Sequence, residues 1–335
     1  MITILPARLR NIHFPRSHLI HVTHAIVKIL LFKDVNECDY FFSFTENASG
    51  ISVVANEALI ANDFLPALEA ANCPDLGAPT GVFRVLQVDD DGGQELSGKR
   101  ISEISEPFAE KRFSILYIST YQTDFVLVSE SKLHSAINAL RQDGFEVEYD
   151  GDDEVHGYPE EEEEEEEEAI GTPLSPVDPT QFLVDTEVLV NELQCVGLNR
   201  HYRSDWVTTV LKILCYPDLM QDCSSQNHKR FCSFVVTSQD ISLIADTLIV
   251  DSIDENLLMK EEDGSNLRVI QVHFSGSNVE RCGIVRYISK PLSIEANINM
   301  FYLSTFMTAN IIVSVNDLEK AVSILSPTEK CYFTS

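Results

Sequence analysis

At 335 residues the chain is long enough for two to four modest domains, and its 44% hydrophobic content is that of an ordinary globular protein. The net charge of −29 includes the nine-residue run Glu160–Glu168; without it the remainder is still at about −20, which argues against nucleic acid and anionic membranes, where basic patches supply the affinity. The longest apolar run, Ala25–Phe32, is interrupted by Lys28 and falls far short of the ~20 residues a membrane helix needs, and no secretory leader pattern opens the chain.

In chain order, Ser17–Phe32 reads as a helix and Phe41–Phe44 as a strand. Val82–Val88 is apolar and β-branched, hence a strand, and Asp89-Asp90-Asp91-Gly92-Gly93 is a turn. Helical spacing of Ile101, Ile104, Phe108 and Phe113 predicts a helix over 101–113, with Ser102 or Ser105 as its cap. Phe113–Ser119 and Phe125–Val128 form a hairpin around Gln122-Thr123-Asp124, and Leu133–Leu140 is helical. Phe145–Tyr149 alternates strictly, as an edge strand with one buried face. Gly151–Pro179 holds the Glu run and two Ser/Thr-Pro pairs with almost nothing apolar, so it reads as an acidic disordered linker. Beyond it, Trp206–Leu214 is a helix, Phe231–Phe234 and Leu267–Phe274 are strands and Gly283–Ile294 is a helix around Pro291. Asn299–Ser304 and Ile311–Ser314 form a hairpin, and Leu318–Leu325 is the last helix.

The second half repeats the first. Ile118–Leu140 and Leu303–Leu325 share eight identities in 23 positions at a spacing of 185 residues, as between Ser119 and Ser304. Phe41-Phe42-Ser43-Phe44 recurs as Phe231-Cys232-Ser233-Phe234. Self-similarity at one long period implies duplication of a structural unit. Each repeat reads β-α-β-β-α-β, the split βαβ arrangement. The expected architecture is therefore α+β, with four ferredoxin-like units in two tandem pairs: 1–75, 76–150, the linker 151–179, 180–255 and 256–335.

Catalytic and metal motifs are weak. Ser129-Glu130-Ser131-Lys132 fits an S-x-x-K pattern but sits where a Ser would cap an amphipathic helix. His13, His18, His21 and His24 lack carboxylate or Cys partners at metal spacing. Eight scattered cysteines without a C-x-x-C pair read as reduced thiols of a cytosolic protein. No enzyme activity, cofactor or metal is expected. A duplicated α/β chain of this kind suits a small ligand held between modules, where backbone N–H groups and a hydroxyl such as that of Ser114 receive a carboxylate.

Through Ser119–Phe125 (STYQTDF), with support from Phe41–Asn47, Cys282–Val285 and Tyr302–Phe306, the chain resembles the CASTOR family, cytosolic arginine sensors that restrain mTOR signalling and are built from four ACT domains. The resemblance implies a ligand site between the second and fourth ACT domains, formed by Ser114 and Ile115, by the segment carrying Arg281, Gly283 and Val285, and by Thr305 and Phe306. It also implies that Tyr121, Gln122 and Asp124 grip a GATOR-like partner complex and that the protein is a homodimer. Two departures matter. The family's pocket Asp falls on Ala309 and its pocket Glu on Arg281. Losing both carboxylates removes charge-assisted bonds worth ~1.5–3 kcal/mol each to a guanidinium, so the free amino acid expected here is acidic or neutral rather than arginine. The expected function is an amino-acid-sensing regulator of TOR signalling. The alternatives are an ACT-type regulatory subunit of an amino-acid biosynthetic enzyme and a ligand-independent scaffold.

Overall fold

The computed structural model describes residues 1–34, 36–89, 97–149, 183–220, 230–260, 266–279, 281–325 and 332–333. The expected linker and the turn residues 90–93 lie outside them.

The first half runs β1 (Ile2–Phe14), α1 (Leu19–Val27, continued by a wider turn over Lys28–Phe32), β2 (Phe41–Asn47), β3 (Gly50–Asn56), α2 (Glu57–Leu59), α3 (Leu65–Ala70), β4 (Phe83–Val88), α4 (Ser97–Glu110), β5 (Ile115–Ser119), β6 (Asp124–Ser129), α5 (Leu133–Gln142) and β7 (Val147–Glu148). The second runs β8 (Leu183–Val188), β9 (Leu193–Leu198), α6 (Arg203–Cys215), β10 (Cys232–Thr237), β11 (Ile241–Asp246), α7 (Thr247–Asp251), β12 (Leu258–Met259), β13 (Leu267–Phe274), α8 (Ile284–Lys290, continued by a wider turn over Pro291–Glu295), β14 (Met300–Ser304), β15 (Thr308–Ser314), α9 (Leu318–Leu325) and β16 (Tyr332–Phe333). A hairpin flanked by helices thus recurs four times, at β2–β3, β5–β6, β10–β11 and β14–β15; these are units one to four below.

Twelve strands close into one ring in the order β9-β11-β10-β2-β3-β1-β4-β6-β5-β14-β15-β13, with Leu267 paired to Leu193 at the closure. Three apolar layers result. Leu9, Phe41, Phe125, Leu127, Val235 and Leu303 fill the inside of the ring. Helices α1 and α6 cover units one and three over Phe44, Trp206 and Phe234, while α4, α5, α8 and α9 cover units two and four over Tyr117, Tyr302 and Ile311.

The long β1 serves two units. Its Ile2–Leu5 part pairs antiparallel with β4, its Leu9–Phe14 part pairs with β3, and the register slips between Leu5 and Arg8. Pro6 stands in that slip, where a residue without an N–H is tolerated. In the second half the same two parts are separate strands, β8 against β13 and β9 against β11. The edge strand β7 therefore pairs with β1, not with a strand of its own unit. Helix α4 begins at Ser97, so Ser102 and Ser105 are buried mid-helix residues rather than caps; Ser105 Oγ donates to the Ser102 carbonyl. Ser129 likewise makes no side-chain cap bond, its hydroxyl lying 3.0 Å from that of Ser131. No helix among the described residues is long and apolar enough to cross a membrane.

Candidate functional site

Units two and four meet along β5 and β14. Only Ile118 and Leu303 pair as backbone; beyond them the strands part, and two serines fill the gap. The Tyr117 N–H donates to Ser304 Oγ (2.9 Å) and the Tyr302 N–H to Ser119 Oγ (3.1 Å). The two donors and the two acceptors are each 185 residues apart, so the seam carries a local two-fold relation. Beneath it the Tyr117 and Tyr302 rings meet edge to face, 6.1 Å between centroids. Both phenols are fully buried, and burial raises both pKa values. Over the seam the helices cross: α4 packs on β14 and α8 on β5. Arg286 of α8 ties them together by donating to the Ser102 carbonyl and hydroxyl and by pairing with Glu106.

At one end of this seam Ser114 bridges Cys282 as an isolated antiparallel pair, which brings Ser114 and Ile115 of unit two beside Gly283 of unit four. Gly283 stands at the entry to α8 with φ +78°, a left-handed conformation that glycine adopts without steric penalty. A Cβ built there would meet nothing among the described residues within 4 Å. Ile115 and Val285 are buried in the apolar layer beneath the helices. Arg281 turns onto its own loop: its guanidinium lies 6.0 Å from the Phe274 ring centroid and donates to the Ser275 carbonyl, and partial burial lowers its pKa. Ala309 is fully buried on β15.

Thr305 and Phe306 sit elsewhere, in the β14–β15 turn, which docks on unit one. The Thr305 hydroxyl donates to the Thr308 carbonyl within the turn. The Phe306 N–H donates to Ser52 Oγ (3.4 Å), and its ring stacks on His13 at 5.6 Å and fills the space over Gly77. The other turn, β5–β6, docks on unit three in the same way. The Tyr121 N–H donates to Ser242 Oγ (3.0 Å), and the Tyr121 ring lies over Gly197 beside Met259. Asp240 anchors this turn, accepting from Thr120 Oγ1 and from the backbone of Gln122. His13 is thus committed to a packing contact, apart from His18 and His21 near the start of α1.

Of the three expected partner residues, Gln122 is exposed and Tyr121 half-buried. Asp124 points inward. It is 2% exposed and accepts from Arg100 Nε at 2.8 Å, so its carboxylate offers no surface to a partner and holds the hairpin to α4 instead. Burial raises the Asp124 pKa, against the opposing pull of Arg100 and the hydroxyls of Ser119 and Tyr117.

Sequence reasoning missed Arg100, Asp240 and Asn299. Arg100 lies 24 residues before its partner, and Asp240 lies 120 residues beyond Thr120, so no local pattern points to either; for Asn299, pairing the two repeats at the 185-residue spacing, which sets it opposite Ser114, is the signal.

Two stretches, residues 81–142 and 264–327, match the ACT domain family. These are the segments carrying β4–α5 and the β13–α9 region, the two sides of the seam just described. Over nearly the whole chain there are similar proteins. The human cytosolic arginine sensor for mTORC1 subunit 1 is 26% identical over 335 residues, covering 96% of both chains. Its mouse counterpart is 26% identical over 342 residues, covering 96% of this chain and 95% of the relative. Among solved structures, aspartate kinase from Synechocystis aligns with 96% of this chain and 54% of its own at 11% identity and a TM-score of 0.35, a likeness too slight to carry an argument. Two stretches of the chain thus match the ACT domain family, and the chain is similar over nearly its whole length to proteins named cytosolic arginine sensors.

Proposed function

We propose that this is a non-catalytic, cytoplasmic amino-acid sensor of four ACT domains (1–75, 76–150, 180–255 and 256–335) that binds a GATOR-like partner complex and modulates TOR signalling. The observation that carries the reading is the Ser114–Cys282 bridge, which joins the two ACT-matched stretches and leaves open space at Gly283. Ser114, Ile115 and Gly283 line the ligand site, Val285 packs beneath it and Arg281 sets its charge. Thr305 and Phe306 contribute at a distance, by fixing unit four on unit one. With Arg281 in place of a carboxylate and Ala309 in place of the other, the ligand is a neutral or acidic amino acid. Tyr121 and Gln122 present the partner surface, and Asp124 holds their turn from inside. The exposed apolar side chains Ile20, Phe32 and Leu219 on units one and three support a homodimer, which light scattering tests.

The first test is a thermal-shift titration against single amino acids. A ligand present at 100 times its Kd adds about 2.7 kcal/mol of stability. A shift with one neutral or acidic amino acid, lost in Ser114→Pro, supports the reading. A shift with arginine contradicts the charge argument, and none with any amino acid leaves a ligand-independent scaffold.

A further inference from the structure

The two-fold relation between units two and four generates a second seam. Shifting Ser114, Cys282 and Gly283 by the repeat spacing of 185 residues lands on Asn299, Ser97 and Gly98. The first seam has a small hydroxyl residue opposite Cys-Gly; the second has an asparagine opposite Ser-Gly. In the second seam the Asn299 carboxamide oxygen accepts from the Gly98 N–H (3.1 Å) and from Ser97 Oγ (2.9 Å), and Ser97 Oγ also lies 2.9 Å from the Met300 carbonyl. Packing is as different as bonding. A Cβ on Gly98 would lie 2.8 Å from the Ile298 carbonyl oxygen and 3.3 Å from Ser293 Cβ, whereas a Cβ on Gly283 would meet nothing among the described residues within 4 Å. One seam is shut down to backbone contact; its twin is open.

We infer that Asn299 is a tethered occupant: its side-chain oxygen takes the place that a ligand carboxylate oxygen takes in the open seam, so the molecule has one amino-acid site and not two. A carboxamide oxygen and a carboxylate oxygen are both acceptors of suitable size for an N–H and a hydroxyl converging from a helix start. Asn at position 299 supplies that acceptor from within the chain, and Ser at position 114 is too short to do so. The inference rests on the reading of the Ser114–Gly283 seam as the ligand site, and it fixes the stoichiometry and the residue that sets it.

The two seams carry a natural reporter in matched positions, because Cys282 is the counterpart of Ser97. Alkylation by iodoacetamide, followed peptide by peptide by mass spectrometry in the full chain, is therefore measured at Cys282 and at the thiol introduced by Ser97→Cys. The expected result is labelling at least tenfold slower at the introduced thiol. Adding Asn299→Ser should accelerate it towards the Cys282 rate, while Asn299→Asp, which keeps an acceptor, should leave it slow. Ser114→Asn should slow Cys282 in turn, and this arm decides the matter without touching Asn299 should that residue prove necessary for folding. Equal rates at the two thiols, or a slow thiol that Asn299→Ser does not accelerate while Ser114→Asn leaves Cys282 unchanged, would overturn the inference. Protection of Cys282 by a mixture of the common amino acids other than cysteine reads the ligand assignment separately: asymmetric labelling without protection upholds the plug and removes the ligand site.

Discussion

Asp124 and Arg100 form a buried ion pair under the β5–β6 turn, the Nε donating to Oδ2 at 2.8 Å with the carboxylate side chain 2% exposed. It fixes the turn that carries Tyr121 and Gln122 to α4, the helix that crosses onto unit four. Removing one member of such a pair strands a buried charge, at about 3–5 kcal/mol. Asp124→Ala should lose that much in urea unfolding, and Asp124→Ala with Arg100→Met should recover a large part of it. A single variant as stable as the parent would mean that the pair is solvated and the turn held by Asp240 alone.

The same cluster makes a pH prediction. Burial raises the pKa of Asp240, with the neighbouring Asp124 adding to the rise and hydrogen bonds from Thr120, Gln122 and Ile241 opposing it. A carboxyl whose folded pKa is raised binds its proton more tightly folded than unfolded, so its contribution to stability falls as pH rises from the ordinary value of 3.8 through the folded value. Asp240→Asn removes that titration. Its stability relative to the parent should therefore improve steadily as pH is raised through this window, whatever offset the lost hydrogen bonds impose. A difference between the two proteins that is flat with pH would show the group to be unperturbed.

Gly77 and Phe306 touch so closely that a Cβ on residue 77 would lie 2.5 Å from the Phe306 ring, which also stacks on His13. The ring cannot move aside without giving up that stack. Gly77→Ala should destabilise by about 1–3 kcal/mol through overpacking, and in a Phe306→Ala background the same substitution should be close to neutral. Additive effects would place the strain elsewhere.

Much of units two and four is legible in the residues themselves. Leu267–Phe274 and Leu318–Leu325 begin and end as hydrophobic periodicity predicts. The first strand is not: its apolar alternation holds only from Leu5 to Arg10, Ile4 and Leu5 are both buried, and the polar Asn11 and His13 are buried beyond it, because the strand is shared between two units and only the assembled ring gives it two covered faces. Asp124 reads as a surface turn residue until Arg100 is placed beneath it. Of the candidate site, only the Ser114 hydroxyl reads from the residues themselves and Gly283 enters through the family resemblance; the 185-residue spacing sets Ser114 opposite Asn299, but what Asn299 bonds to is visible only in the structure. The start of α4 is not legible in the sequence because its first turn, Ser-Gly-Lys-Arg, is polar and reads as loop, while its anchor Asn299 lies 202 residues from Ser97.

Charge at the open seam gives a specificity prediction. Arg281 sits on Phe274 two residues before Gly283, and a second cation there is repelled. Arg281→Glu reverses the sign at that position and supplies a carboxylate acceptor for a guanidinium, at about 1.5–3 kcal/mol per charge-assisted bond. The variant should show arginine-dependent thermal stabilisation that the parent lacks, and this should weaken at high salt. Stabilisation by arginine in the parent and not in the variant would reverse the assigned role of Arg281.

The two halves should also hold together without the chain between them. Six consecutive residues of β2 and β10 pair across the halves, from Glu46 with Cys232 to Phe41 with Thr237. At the end of that pairing Glu46 is buried between Arg16 of its own half and Arg230 of the other, and Thr45 Oγ1 lies 3.0 Å from Ser233 Oγ. The β5–β14 seam and the apolar interior of the ring add to this, and none of it depends on residues 151–179. Co-expressed 1–150 and 180–335 should therefore co-elute as a one-to-one complex. Glu46→Ala should weaken that complex by about 3 kcal/mol, the lower end for a broken buried pair because Arg16 is 40% exposed, or roughly a hundredfold in Kd. Two halves eluting separately, each folded, would show that the ring is closed by the tether and not by its strands.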